Sequence, residues 1–263
     1  MKNIMVKLQQ KWLTKLKINI RKSTSSPKFS RNESNQLLPI IALEQVTLAF
    51  KQQLIFDALD LVIYPGEKIA LLGKSGVGKS SLIKLISGLE RGFSGQITTR
   101  TQRIGYVFQE PRLLPWLSVG ENIDEVLKAQ GLTKLQRDAR LVELLTQVGL
   151  TAYQQHFPHQ LSGGMAQRAS LARAFAADPD LLILDEPFSA LDKQSVDELT
   201  QLLQSFLTDQ ITLLYISHNI EQVIGMSNTS LLLKPASKCL RYSIKTPAER
   251  TNFFNNIYPS ELK

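Results

Sequence analysis

The chain contains one cysteine, Cys239, among 263 residues. It can make no intramolecular disulfide and belongs to no metal-ligand cluster in the sequence, which favours a reducing compartment such as the cytosol. No apolar run reaches the length of a membrane span. The longest candidates, such as Leu181 to Leu184 and Ile211 to Ile216, have the length of strands and are bounded by polar residues, so the chain reads as soluble or peripheral. Carboxylates are missing from residues 1 to 32, where nine Lys and Arg side chains stand. The formal net charge of +8 therefore belongs to that segment, and the remainder is close to neutral. A globally basic nucleic-acid surface is therefore not indicated. One ordinary domain with extensions accounts for the length.

Within the basic segment Ile4, Leu8, Trp12, Leu16 and Ile20 recur every four residues, with Lys7, Lys11 and Lys15 beside them. The pattern suits a basic amphipathic helix on anionic lipid. A poorly ordered tail, a targeting sequence, or residues translated from an upstream start are the competing readings. We take residues 1–39 as this extension, 40–235 as the main domain with a helical subdomain near 110–178, and 236–263 as a tail without a readable motif.

From Ile40 the texture becomes apolar alternation through Leu43, Val46 and Leu48, then Leu59 to Ile63 and a turn at Pro65-Gly66, which predicts antiparallel strands. Lys68-Ile-Ala-Leu-Leu72 is a continuous apolar run, as in a strand buried on both faces. It leads into Gly73, Lys74, Ser75, Gly76, Val77, Gly78, Lys79, Ser80 and Ser81, which fits the phosphate-loop pattern G-x-x-x-x-G-K-[ST]. The glycines let backbone N–H groups turn inward around a phosphate chain, and the helix that follows presents its positive end to the same anion. Lys79 adds a full charge toward the β- and γ-phosphates. The Ser80 hydroxyl suits a magnesium ion bridging them.

A second buried run, Leu181 to Leu184, delivers Asp185 and Glu186 at its carboxyl end, where open α/β sheets place their ligands. Asp185 suits the metal; Glu186 suits polarising a water for attack on the γ-phosphorus. Between these two motifs lies Leu161-Ser-Gly-Gly-Met-Ala-Gln-Arg168. Ser162 and the amides of Gly163 and Gly164 open a predicted helix reaching Ala177 and so form a second anion site. Residues Asn122 to Gln130 and Lys134 to Gly149 read as further helices.

Taken in this order, the motifs across about residues 40 to 225 resemble the ATP-binding subunits of ABC transporters. The resemblance implies a P-loop α/β fold with a mostly parallel sheet, an N-terminal antiparallel region and an inserted helical subdomain. It implies ATP and Mg2+ as ligands. It also implies that Phe50 stacks on adenine, that Gln109 at the end of Arg103-Ile-Gly-Tyr-Val-Phe-Gln109 touches metal and catalytic water, and that His218 contacts the γ-phosphate. Ser189-Ala-Leu-Asp192 resembles the loop linking two such sites. In the family, Ser162, Gly163 and Gly164 complete the pocket of a second copy across a head-to-tail homodimer. Asn219 and Ser81 depart from the commoner Asp and Thr, and after Val223 the match fades.

The loop Gln109-Glu-Pro-Arg-Leu-Leu-Pro-Trp-Leu-Ser-Val119 and the wording Met165 to Arg168 are most similar to the nitrate, sulfonate and taurine importer group, which includes pyrimidine-precursor importers. The resemblance implies a peripheral ATPase on the cytoplasmic face of the inner membrane, beneath two permease subunits and served by an extracytoplasmic solute-binding protein. It implies no nucleic-acid partner. Pro115 and Trp116 read either as an apolar socket for the permease or as an internal anchor of the helical subdomain. A non-transport ABC ATPase is the alternative, although the fused second cassette or long coiled-coil insertion usual there is not present in the sequence.

Overall fold

The computed structural model describes residues 37–51, 53–189, 191–217, 225–235 and 239–257. The basic segment 1–32 and its helix-or-tail readings lie outside the described residues, as do His218 and Asn219.

Two sheets form the framework. The smaller is antiparallel, in the order β2-β1-β4, from β1 (Ile41–Phe50), β2 (Gln53–Ile63) and β4 (Phe93–Thr99). The larger has the order β5-β6-β7-β3-β8-β9, from β3 (Lys68–Leu72), β5 (Ile104–Val107), β6 (Leu181–Asp185), β7 (Thr212–Ile216), β8 (Thr229–Leu233) and β9 (Cys239–Ser243). All its pairs are parallel except β8 with β9. This is the architecture the motifs predict.

The apolar spacing of β1 has a local cause. Leu43 and Val46 both face the core although they are three residues apart, which a regular strand forbids. The register shifts between them, Gln45 adopts φ 50°, and its amide is taken by the Asp60 carboxylate at 2.7 Å. A bulge therefore absorbs the extra residue and keeps both side chains inside. The opposite strand repeats the device: Ala58, at φ 51°, lies between the buried Phe56 and Leu59, and its amide donates to the Thr47 hydroxyl.

Strands β3, β6, β7 and β8 are buried on both faces, so their runs need no alternation. Alternate residues nonetheless serve different cores. Ile69, Leu71, Leu181, Ile183, Leu214 and Ile216 pack toward the antiparallel sheet and α1 (Lys79–Ile86). Ala70, Leu72, Leu182, Leu184, Leu213 and Tyr215 pack toward the helical side, α2 (Val119–Ala129), α3 (Lys134–Gln147), α4 (Gly163–Phe175) and α5 (Lys193–Phe206). Strand β3 sits between β7 and β8. Its flanks are tied to distant chain: the Gly66 amide donates to Thr212, 146 residues away, and the Lys68 amide to Asn228, 160 residues away.

Helix α2 begins at Val119, three residues before the expected Asn122. Ser118 and Glu121 form a capping box, each side chain satisfying the other's backbone amide. The turn that follows α2 is closed by a second box, Thr133 with Gln136. Past residue 235 the chain continues the sheet: β9 pairs along the whole of β8, and α6 (Pro247–Asn252) follows. Ile244 and Phe253 are fully buried, and the Phe253 ring meets Tyr242 edge-on at 5.4 Å. This segment packs on the domain that carries it.

Candidate active site

The phosphate loop leaves the carboxyl end of β3 and closes on α1. Two of its glycines are fixed by what surrounds them. A Cβ on Gly73 (φ 145°) would lie 2.6 Å from the Leu233 carbonyl oxygen, and one on Gly78 (φ 106°) would lie 2.8 Å from Ile55 and 2.9 Å from Phe56. Gly76 (φ 79°) faces open space, so only its backbone angle requires glycine. Gly78 is the N-cap of α1 and supplies no side-chain acceptor. The first-turn amides are thus left for an external anion.

Lys79 is half-buried, and its ammonium donates to the carbonyl oxygens of Gly73 at 2.8 Å and Lys74 at 3.0 Å. Burial pulls it below its usual value of 10.5, while the charges of Glu186 and Asp185 oppose that shift. The three groups therefore share one electrostatic neighbourhood, although the carboxylates come from β6 and its exit, more than one strand away in the sheet. Ser80 is exposed beside them, and Ser81 is half-buried on α1.

Glu186 adopts φ 50°, uncommon for a residue with a side chain. Its amide donates to the Ile216 carbonyl at 2.9 Å, and its own carbonyl accepts from Ser189 at 3.3 Å. The bond to Ile216 fastens the exit of β6 to the end of β7. Asp185 Oδ2 accepts from the Tyr106 hydroxyl at 3.1 Å. Gln109, exposed beyond β5, donates from Nε2 to the Ser189 hydroxyl at 3.2 Å. The structure thus gathers the loop, Gln109, Asp185, Glu186 and Ser189. Phe50 lies 44% exposed at the end of β1, its ring open to solvent. His218 falls outside the described residues, and so does Ala190 within the loop from Ser189 to Asp192.

Ser162 is the N-cap of α4, its hydroxyl accepting from the Met165 amide at 3.3 Å. The turn rests on the start of α5: the ideal Cβ of Gly164 would stand 3.7 Å from the Ser195 hydroxyl, and that of Gly163 3.6 Å from Leu191. A cleft of about 300 Å3 opens here, lined in part by Ser162, Gly164, Arg168, Ser195 and Glu198 and by no residue of the phosphate loop. Arg168 closes it on one side through Glu198 at 2.6 Å.

Three further side chains hold the segment on either side of Gln109, and none belongs to the motifs of the phosphate site. Gln167, buried on α4, donates to the Phe108 carbonyl at 3.3 Å, and Arg173 on the same helix donates to Arg112 and Pro111 carbonyls at 2.7 and 2.8 Å. The third is Tyr106. Two residues farther, the Phe108 ring stacks on Tyr106 at 3.9 Å, with the Arg112 guanidinium 4.4 Å over its face. Trp116 is half-buried, with its indole N–H enclosed and unpartnered, while Pro115 is exposed.

Among the described residues no group of three or more His, Cys, Asp or Glu is placed to hold a metal ion. Ser80, Asp185 and Gln109 offer only oxygen donors from three separate segments. That set fits a magnesium ion, which keeps several waters and is completed by phosphate oxygens.

Residues 56–189 match the family model described as ABC transporter. Relatives agree. The chain is 38% identical over 209 residues to the aliphatic sulfonates import ATP-binding protein SsuB 1 of Pseudomonas syringae pv. syringae (strain B728a), covering 77% of this chain and 85% of that protein. It is 40% identical over 190 residues to the protein of the same name from Rhodococcus jostii (strain RHA1), covering 70% and 75%. Among solved structures, the dimeric bacterial ABC transporter cassette MJ0796 superposes with TM-score 0.70 at 27% identity, covering 78% of this chain and 99% of that one. A dimeric post-hydrolysis state of the same cassette, bound to ADP and Pi, gives 0.68 at 26% identity, again covering 78% and 99%. The chain belongs to the ABC transporter family, as one of its ATP-binding subunits.

Proposed function

We propose that this chain is the ATP-hydrolysing subunit of an importer for a small anionic solute of the sulfonate type, and that two copies work head to tail beneath a separate membrane permease. The observation that carries the chemistry is that Lys79 lies within electrostatic reach of Asp185 and Glu186 at the carboxyl edge of the sheet, at the end of a helix whose N-cap supplies no side-chain acceptor. The β- and γ-phosphates lie in the loop against Lys79, with Phe50 under the base. Ser80, Asp185 and Gln109 would hold Mg2+, which would supply charge neutralisation at the phosphates. Glu186 orients and polarises the attacking water, and His218 steadies the γ-phosphate.

Ser162 and Gly164 face a cleft that no residue of their own phosphate loop lines, which supports the service of the Ser162-Gly163-Gly164 turn to the pocket of the second copy. The names of the relatives support sulfonate-type cargo. The subunit works at the cytoplasmic face of the membrane, with an extracytoplasmic solute-binding protein delivering the cargo. No helix among the described residues is long and apolar enough to cross a membrane.

The decisive experiment replaces Glu186 by Gln in the full chain. We expect ATP binding to persist and a nucleotide-stabilised dimer to accumulate, with turnover reduced roughly 100-fold or more. Unchanged turnover would refute the assignment of the base.

A further inference from the structure

We propose that Tyr106 is a positioning residue for the metal site, orienting the Asp185 carboxylate through an aromatic ladder that reaches the surface of the loop after Gln109. The inference rests on the proposed role of Asp185 and extends it to a residue that the phosphate-site motifs do not contain.

The strand register creates the contact. β5 and β6 pair in parallel with Tyr106 opposite Ile183, and Asp185 is two residues farther along β6. Side chains two apart share a face, about 6.6 Å along the strand. A phenol lying forward spans that distance and ends at the Asp185 Oδ2, 3.1 Å away. Phe108, just past the end of β5, stacks nearly parallel on Tyr106 at 3.9 Å and 18°, and Arg112 covers Phe108 in turn. The phenol ring is thereby held from behind, and its hydroxyl is aimed at one carboxylate oxygen. The proposal gives the other oxygen of Asp185, Oδ1, to the metal. A carboxylate fixed in this way loses less rotational freedom when it takes a metal ion, and groups that hold a ligand from behind commonly influence metal affinity about 10–100-fold.

Arg112 itself stands at φ 46°, and its carbonyl is anchored by Arg173 of α4. The ladder thus joins the loop that follows Gln109, the helix that begins at Ser162, and the metal carboxylate by direct contacts.

The test uses the full chain and Mn2+ as the probe, its binding read by electron paramagnetic resonance in the presence of a non-hydrolysable ATP analogue. Affinity for a fluorescent ATP analogue is measured separately in EDTA. Tyr106→Phe keeps the ring and removes only the hydroxyl; we expect Mn2+ affinity to fall about tenfold with metal-free nucleotide affinity and thermal midpoint unchanged. Phe108→Leu, which keeps the phenol but removes its backing, is expected to weaken Mn2+ by a smaller factor. Equal Mn2+ affinity in wild type and Tyr106→Phe overturns the proposal. Equal losses with and without metal overturn it as well, since they would mark a residue supporting the whole pocket. A wild-type chain that takes up no Mn2+ with nucleotide refutes the assignment of Asp185 itself, a failure distinct from that of Tyr106 alone.

Discussion

The side-chain amide of Gln109 donates to the hydroxyl of Ser189 at 3.2 Å, joining two loops whose residues are 80 apart in the chain. Gln109 leaves β5 toward the helical subdomain, and Ser189 follows Glu186 on the way to α5. The bond ties the segment that leaves β5 directly to the segment that carries the proposed catalytic base.

This hydrogen bond is exposed and neutral, so its loss has a bounded effect. Ser189→Ala should lower the ATPase rate about fivefold, the equivalent of about 1 kcal/mol, with the KM for ATP unchanged. Steady-state kinetics with varied ATP checks both parts; a raised KM with normal turnover would mean that the bond serves nucleotide binding instead.

Gly76 and Gly78 should respond differently to the same substitution. Gly76→Ala meets no neighbour and pays only for its left-handed backbone, about 1–3 kcal/mol. Gly78→Ala meets the same strain and in addition drives a methyl into Ile55 and Phe56. Thermal unfolding of the two variants should show the larger drop for Gly78→Ala.

Acid should weaken the helical subdomain through Asp124. Burial pushes its carboxyl up, but hydrogen bonds and charges from Arg137, at 2.8 Å, and Lys128, at 3.1 Å, more than offset this and hold it below its usual 3.8. A depressed native value adds stability that is complete above the unfolded value and disappears as pH falls through the folded one. Denaturant unfolding should show wild type more stable than Asp124→Asn near neutral pH, with the gap shrinking at successive values below 3.8.

Phe253 tests whether the C-terminal segment is integral. Its ring is 1% exposed against Tyr242, and truncating a buried aromatic typically costs about 3–5 kcal/mol. Phe253→Ala should lower the chemical-denaturation midpoint accordingly, while a change within error would show that the segment is a dispensable appendage.

The catalytic strands were legible because a strand buried on both faces must be a continuous apolar run, and a phosphate loop must follow such a run directly. Residues Lys68 to Ser81 satisfy both demands locally, and Leu181 to Leu184 satisfy the first. Strand β9 was not legible: at the edge of the sheet it is only half-buried, so Cys239 to Ser243 shows no such run. The bulges at Gln45 and Ala58 left a visible trace in the three-residue steps of β1 and β2. Tyr106 left none, because its partner lies 79 residues away and only the pairing of β5 with β6 brings them together. The anchors Gln167 and Arg173 sit on a helix whose opening motif draws attention to its first turn.

The position of β3 between β7 and β8 sets an order of events during synthesis. The strand that launches the phosphate loop emerges from the ribosome early, but both of its neighbours in the sheet, and the Leu233 carbonyl against which Gly73 is pressed, belong to the last third of the chain. A nascent polypeptide that has already displayed every residue of the loop still lacks the walls that shape it. The fully walled phosphate loop is therefore a late product of this chain's synthesis.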